Sequence, residues 1–282
     1  MSETRIEGRT AIVTGAARGL GRTMAFGLLA AGANVSLVDI DGDELENTAA
    51  EAAALAGADR VLSVVTDVGD DDAVERAVRA TLDKFYGLGI LINDAGIGPP
   101  AGERSLFNNP EKFWETNARV WRKTIEVNTV GSYLMTWTAA PHMIEGGWGR
   151  IINITTSLNA MYMPGCGAYG PSKAALEANT LIMAQDLAGT GVTANVLVPG
   201  GPANTRMIPA DAGLDRAALI QPETMVPPVL WLASDDSDGV TGMRFQAALW
   251  DPALPVAEAM DRAGAPAAWP QLGAQAIRPD HG

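Results

Sequence analysis

Thr14-Gly15-Ala16-Ala17-Arg18-Gly19-Leu20-Gly21 follows directly on the short apolar run Thr10-Ala11-Ile12-Val13 and opens a segment of helical spacing, Leu20 to Ala31. A strand, a glycine-rich turn and a helix entered at its N-terminus make an anion-binding device. The glycines let backbone N–H groups approach a pyrophosphate, and the helix dipole adds partial positive charge. Three glycines alone are weak evidence, but here a second strand and a terminal acid follow in order, the context that points to a dinucleotide. The acid is Asp39, about 20 residues beyond the turn, where a carboxylate accepts hydrogen bonds from an adenosine ribose. A carboxylate there repels a 2′-phosphate and favours NAD over NADP. Arg18 cuts the other way, because a guanidinium pairs with that phosphate, and a solvated surface arginine is an equal reading. Asp39 carries more weight because it would occupy the 2′-phosphate position itself. The cofactor-binding candidates from this stretch are Gly15, Arg18, Gly19, Leu20, Gly21 and Asp39.

Outward from this unit, strand-like and helix-like segments alternate with short Gly, Asp and Asn turns, which predicts an α/β fold with a Rossmann-type doubly wound parallel sheet. Predicted strands are 10–14, 34–38, 61–66, 90–93, 150–155 and 192–197, rich in Val and Ile as suits burial on both faces. Predicted helices are 20–31, 43–56, 71–85, 119–140, 168–188 and 222–233. Asp43 and Asp71 are plausible N-terminal helix positions. A Pro/Gly/Asn-rich insertion near 98–118 carries Phe107, Phe113 and Trp114 and is too long for an ordinary loop. From Trp250 the chain is Pro- and Ala-rich. One domain, 1–249, with an extended C-terminal tail, 250–282, packed on that domain or on a neighbouring subunit, is the simplest account.

The chain has 282 residues, 47% of them hydrophobic, enough for a sizeable core. A formal net charge of −13, without a basic run, argues against nucleic-acid or anionic-membrane partners. A lone cysteine, Cys166, precludes an internal disulfide and fits a reducing compartment. The polar stretch Met1–Arg9 lacks an apolar signal core, and no apolar run reaches the roughly 20 residues of a spanning helix. The expectation is a cytoplasmic protein. His142 and His281 show no ligand spacing, so no metal is expected.

Tyr169 and Lys173 stand four residues apart at the start of a predicted helix, on one face. A tyrosine ordinarily titrates near pH 10. A neighbouring ammonium is expected to lower that value and make the phenol usable for proton transfer. Hydride transfer from an alcohol carbon needs such a base at the hydroxyl. By itself a Tyr-x-x-x-Lys pair is common and usually marks only a helix surface.

Together, Thr14-Gly15-x-x-x-Gly19-x-Gly21, Asp67-Val68, Asn93-Asp94-Ala95-Gly96, Asn128, Tyr169-Gly-Pro-Ser-Lys173 and Pro199-Gly200 resemble the classical short-chain dehydrogenase/reductase family, in its order and roughly its spacing from Arg5 to about Gly242. The resemblance implies Tyr169 as general acid/base, and Lys173 as the group that tunes it and holds the nicotinamide ribose. It implies Asn128 as support for a water linking Lys173 to solvent. Asp67 and Val68 would meet the adenine, Asn93, Ala95 and Gly96 the adenosine side and sheet centre, and Pro199 and Gly200 the nicotinamide. The family's catalytic serine position falls on Thr156, with Ser157 beside it; Thr156 aligns without a gap, and its hydroxyl has the same donor and acceptor inventory.

Three further departures stand out. Asp94 replaces the family's usual Asn, and the family's nicotinamide-side threonine position holds Asn204, with Thr205 next. After Thr241-Gly242 the chain runs Met243-Arg244-Phe245 instead of toward the usual Asp-Gly-Gly ending. Met161, Tyr162, Met163, Met207 and Ile208 are candidates for an apolar substrate wall or for a subunit contact. The resemblance implies a homo-oligomer, tetramer or dimer. The expected activity is NAD-dependent interconversion of a secondary alcohol and a ketone. NADPH-dependent carbonyl reduction and, from another class, a non-catalytic dinucleotide-binding regulator are the alternatives.

Overall fold

The computed structural model describes residues 6–99, 109–210 and 212–270. The first half alternates without exception: β1 (Thr10–Thr14), α1 (Gly19–Ala30), β2 (Asn34–Asp39), α2 (Gly42–Ala56), β3 (Val61–Val65), α3 (Asp71–Phe85) and β4 (Ile90–Asn93). A long helical stretch follows, made of α4 (Ala118–Ile125), a π-helical segment (Glu126–Gly131) and α5 (Ser132–Glu145). Next come β5 (Gly149–Ile154), α6 (Leu158–Tyr162), α7 (Tyr169–Asp186), β6 (Val192–Val198) and α8 (Val226–Leu232). The described chain ends with β7 (Met243–Gln246), α9 (Val256–Ala263) and β8 (Gly264–Pro266).

These strands form one sheet in the order β3-β2-β1-β4-β5-β6-β7-β8, parallel except for the antiparallel pairing of β8 with β7. Every residue of β4, β5 and β6 is buried, whereas in the edge strand β3 only Val61 is buried and half-buried residues alternate with exposed ones beyond it. Successive side chains of a strand point to opposite faces. Accordingly Ala11, Val13, Ile90, Ile92 and Ile152 feed the core on one face, and Ile12, Leu91 and Ile151 feed the core on the other. Strand order reverses between β1 and β4, which opens a crevice at the carboxyl ends of the strands, where ligands bind in such sheets.

Three helices, α2, α3 and α4, start where acidic or amide side chains cap them, a turn-end device that satisfies first-turn N–H groups. Asp41 accepts from Glu44 N–H at α2, Asp70 from Ala73 N–H at α3, and Asn117 from Arg119 N–H at α4. The caps therefore lie slightly ahead of the expected Asp43 and Asp71, which sit inside the first turns. The single helix expected over 119–140 is broken by the π segment. Gly131 lies there because a Cβ would come within 2.6 Å of Val68 Cγ2.

Residues 250–270, read from sequence as the start of an extended tail, carry α9 and β8. Trp250 packs 4.7 Å from the Trp231 ring, and both rings surround Phe245 of β7. Phe107, His281 and the rest of 100–108 and 271–282 lie outside the described residues. Among the described residues no helix is long and apolar enough to cross a membrane.

Candidate active site

The glycine turn closes over the end of β1. Gly15 and Gly19 adopt φ of +70° and +61°, and a Cβ on Gly15 would stand 2.9 Å from Ala95 N. Gly21 is pressed against the turn, since its Cβ would meet Gly15 O at 2.3 Å. These contacts need glycine and bring β1, α1 and the loop after β4 together. First-turn N–H groups of a helix have no intrahelical partner, so Gly19 and Leu20 offer backbone donors to an anion, while the Leu20 side chain packs on the core.

Asp39, at the end of β2, accepts Ala17 N–H (3.0 Å) and Asp41 N–H (3.0 Å), one bond to each carboxylate oxygen. Its charge is thereby fixed at the rim of the turn. Arg18 is paired with Asp41, and its guanidinium holds the Asp41 carboxyl below the usual carboxylate range. The Arg18 Nε is buried without a partner.

Three consecutive residues at the end of β5 are tied to three successive turns of α7. Ile154 O accepts from Lys173 Nζ at 2.8 Å, Thr155 Oγ1 donates to Glu177 Oε2 at 3.2 Å, and the Thr156 side chain stands near enough to the Tyr169 phenol to favour its ionised form. Tyr169, Lys173 and Glu177 share a helix face at i, i+4 and i+8. Ser157 instead serves as the N-terminal flank of α6, its carbonyl accepting Ala160 N–H. Of the two hydroxyl candidates, Thr156 is the one that acts on the tyrosine.

The charge states differ from the expectation of a lowered phenol. Burial pushes Tyr169 above its ordinary value, the Thr156 side chain opposes this, and the charges of Cys166 and Asp94 reinforce it. Burial also brings Lys173 down to about 8, against the attraction of Asp94. Lys173 donates to a strand carbonyl, and desolvation is the leading influence on both groups.

Asn128 lies in the π segment, fully buried. Its Oδ1 accepts Ile97 N–H (2.7 Å), and its Nδ2 reaches Ile97 O and Ser172 Oγ (both 2.9 Å). The side chain thus clamps the loop after β4 to α7. Gly96 is held in the same cluster, since a Cβ there would be 3.2 Å from Asn128 Oδ1 and 3.4 Å from Lys173 Nζ. A π segment of this kind frequently marks a functional position.

Ala95 N–H and Asp94 N–H both donate to Thr14 Oγ1 at 3.1 Å. The Asp94 carboxyl sits against the start of α1, accepting Gly21 N–H. Burial pushes it up to about 7, with Lys173 and the Gly21 N–H pulling down and Asp39 pushing up.

Asn93 belongs to the sheet centre and not to the crevice. Its Nδ2 donates to Ser132 O, Thr136 Oγ1 and Asn153 Oδ1, and Asn153 in turn donates to Thr180 Oγ1. Asp67 accepts Gly69 N–H and a 2.9 Å ion pair from Lys123, which also pairs with Glu126. The Lys123 hydrogen bond is the main cause of its lowered carboxyl pKa. Val68 is buried behind it against Gly131.

At the end of β6, Pro199 O accepts Ala248 N–H and Gly200 takes φ +103°. Asn204 is engaged with Gln221 and Arg216, while the Thr205 methyl lies 3.4 Å from the Cβ position of Gly19. Thr205 is therefore the member of that pair beside the glycine turn.

Met161, Tyr162 and Met163 line a cavity of about 290 Å³ together with Phe113, Trp114 and Cys166. Burial pushes the Cys166 thiol up. Met207 packs over Gly98 instead. Sequence reading missed Lys123, Glu177 and Arg244 as site components. For Glu177 the signal was available, one further turn beyond Lys173; for Arg244 it was the departure after Gly242.

Residues 9–212 match the family model for short chain dehydrogenases. A short-chain type dehydrogenase/reductase of Picea abies is 35% identical, the alignment covering 83% of this chain and 88% of that protein. The NADPH-dependent aldehyde reductase-like protein, chloroplastic, of Arabidopsis thaliana is 32% identical over 84% of this chain and 92% of its own length. The crystal structure of a short chain dehydrogenase from Mycobacterium paratuberculosis bound to NAD superposes with a TM-score of 0.73 at 29% identity, covering 84% of this chain and 95% of that one. With the family model spanning the glycine turn, the β5 end and the Tyr169–Lys173 helix, this chain belongs to the short-chain dehydrogenase family of oxidoreductases.

Proposed function

We propose that the chain interconverts a secondary alcohol and a ketone, with NAD as its nicotinamide cofactor. The observation that carries the reading is the end of β5 tied to α7 through Lys173 and Glu177, which sets Thr156 beside the Tyr169 phenol. A dinucleotide fits the crevice: the turn excludes a Cβ at Gly15, the first turn of α1 offers N–H donors, and the Asp39 carboxylate is anchored at the rim. When bound, the cofactor supplies the hydride acceptor or donor. Thr156 and Tyr169 hold the substrate oxygen between them. Tyr169 Oη gives its proton to that oxygen during reduction and takes it back during oxidation. Lys173, one helical turn on, would hold the nicotinamide ribose, while Asn128 fixes the loop after β4 beside it. Gly15, Gly19, Leu20 and Gly21 hold the pyrophosphate, Asp67, Val68, Ala95 and Gly96 the adenosine side, and Pro199, Gly200 and Thr205 the nicotinamide side.

Asp39 supports NAD because its fixed charge would face a 2′-phosphate. Arg18 supports a second reading, NADPH-dependent reduction, because its buried Nε lacks a partner. The pairing of Arg18 with Asp41 weighs against that reading. Association of copies of this chain is part of the proposal, through the exposed apolar residues of the α4–α5 stretch and α7, and so is a cytoplasmic location. The test is a panel of secondary alcohols and ketones assayed with both cofactors, for wild type and Tyr169→Phe. The expected result is faster turnover with NAD and a loss of at least about a hundredfold in Tyr169→Phe, the scale of acid–base catalysis. Undiminished turnover in the variant would sink the assignment.

A further inference from the structure

A buried ion pair lies directly behind Thr156. Glu177 of α7 is wholly buried and Arg244 of β7 is 5% exposed, with Arg244 Nε 3.0 Å from Glu177 Oε1. The other Glu177 oxygen accepts from Thr155 Oγ1, and Arg244 Nη2 donates to Thr156 O at 2.7 Å. The pair therefore grips two adjacent residues of the β5 end, one through its side chain and the next through its carbonyl. Buried ion pairs are a poor device for stability, since desolvation offsets most of their attraction. A charged pair at this place calls for another explanation, and its hydrogen bonds supply one.

The geometry points to Arg244 and Glu177 as positioning residues that fix the Thr155 side chain and the Thr156–Ser157 peptide on either side of Thr156, and with them the aim of the Thr156 hydroxyl at Tyr169 Oη. The inference rests on the alcohol–ketone reading for its catalytic consequence, though not for its structural one. Thr156 has no regular strand beyond it, because β5 ends at Ile154. Its carbonyl is held by a side chain that comes from the far end of the sequence. Tyr169, Lys173 and Glu177 then act as three tethers at successive levels of α7, and Arg244 locks the last of them to β7. Displacing a catalytic group by about 1 Å can lower turnover a hundredfold.

The test compares Arg244→Met, Glu177→Leu and the double variant Arg244→Met/Glu177→Leu with wild type. Arg244→Met alone leaves a buried carboxylate without its partner and should melt early, or fail to fold. The double variant removes both charges together, and such replacements are often neutral or stabilising, so its Tm should return close to wild type. If the pair positions Thr156, kcat in the double variant falls at least about tenfold with KM for the dinucleotide unchanged. In the cofactor-free protein, the Tyr169 titration would also move upward, because the Thr156 side chain favours the phenolate. That titration is read as the ultraviolet difference between each protein and its Tyr169→Phe counterpart. A double variant with restored Tm, wild-type kcat and an unmoved Tyr169 titration would overturn the proposal. Wild type inactive on the whole panel would sink the alcohol–ketone reading alone, and the Tyr169 titration would still decide the positioning role.

Discussion

Asp94 carries a carboxyl where the family it belongs to usually carries an amide, and the surroundings make that difference measurable. The folded value is about 7 against an ordinary 3.8, with burial the leading cause. Between those values the folded chain holds a proton that the unfolded chain has lost. Stability therefore falls as pH rises from about 4 to about 7, and the full penalty persists above that range. Asp94→Asn keeps an acceptor for Gly21 N–H and removes the ionisation. In thermal melts the variant should gain on wild type more at about pH 8 than at about pH 5; an equal gap at both would show that Asp94 ionises freely. Tyr169 gives a second pH dependence, of function. Its phenol is held protonated at neutrality by burial, the form that donates to a ketone oxygen. Reduction should thus fall and alcohol oxidation rise as pH climbs toward the alkaline range, read as kcat/KM in each direction; a common trend in both would exclude Tyr169 as the proton carrier. At Asp39, substitution by Ser removes the carboxylate charge and leaves one oxygen where two accept Ala17 N–H and Asp41 N–H. The ratio of NAD to NADP efficiency should drop at least about tenfold, equivalent to ~1.4 kcal/mol. An unchanged ratio would place cofactor choice with Arg18.

Elements differ in how openly they announce themselves. The β1–α1–β2 unit is legible because its glycines, its Val- and Ile-rich strands and Asp39 obey one geometry, and its strand bounds agree with the structure to within a residue. Lys173 and Tyr169 are legible for the same reason, through helical spacing. The π segment around Asn128 is not, because one extra residue in a turn leaves the apolar spacing on either side nearly unchanged. β7 is hidden by Arg244, a charge that reads as surface until Glu177, far away in sequence, is folded against it. β8 is hidden because it is short and depends on β7 for its pairing. The lowered Tyr169 expected from its neighbour fails because spacing reports which groups are close and says nothing of desolvation. The C-terminal elements carry weight in the fold nonetheless. Phe245 is fully buried, edge-on to Trp231 at 5.3 Å and to Trp250 at 6.1 Å. Phe245→Ala should destabilise by about 3–5 kcal/mol in denaturant unfolding. A loss below ~1 kcal/mol would mean that β7 and the tail segment are only loosely attached.

For the whole molecule, the informative surface is the one that remains uncovered. Trp121, Val130, Tyr133, Trp137 and Ile144 on the α4–α5 stretch are each between 41% and 59% exposed, and Ile182 of α7 is 55% exposed. Their spacing of three, four and seven residues from Val130 onward keeps them on one side of the helix. Exposed apolar area of that kind marks a surface that another molecule covers. The same helices hold Asn128, Tyr169 and Lys173 by their inner faces, so association through the outer faces would stiffen the active site from behind. Trp137→Glu places a charge in the middle of the stripe without touching the crevice. Sedimentation velocity should show wild type as a dimer or tetramer and the variant shifted to a smaller species. Turnover per chain should fall with that shift and recover as protein concentration is raised, because mass action restores the assembly. A wild-type chain that sediments as a monomer at every concentration, with Trp137→Glu equally active, would mean that the stripe covers nothing of this protein and that α7 holds its catalytic residues unaided.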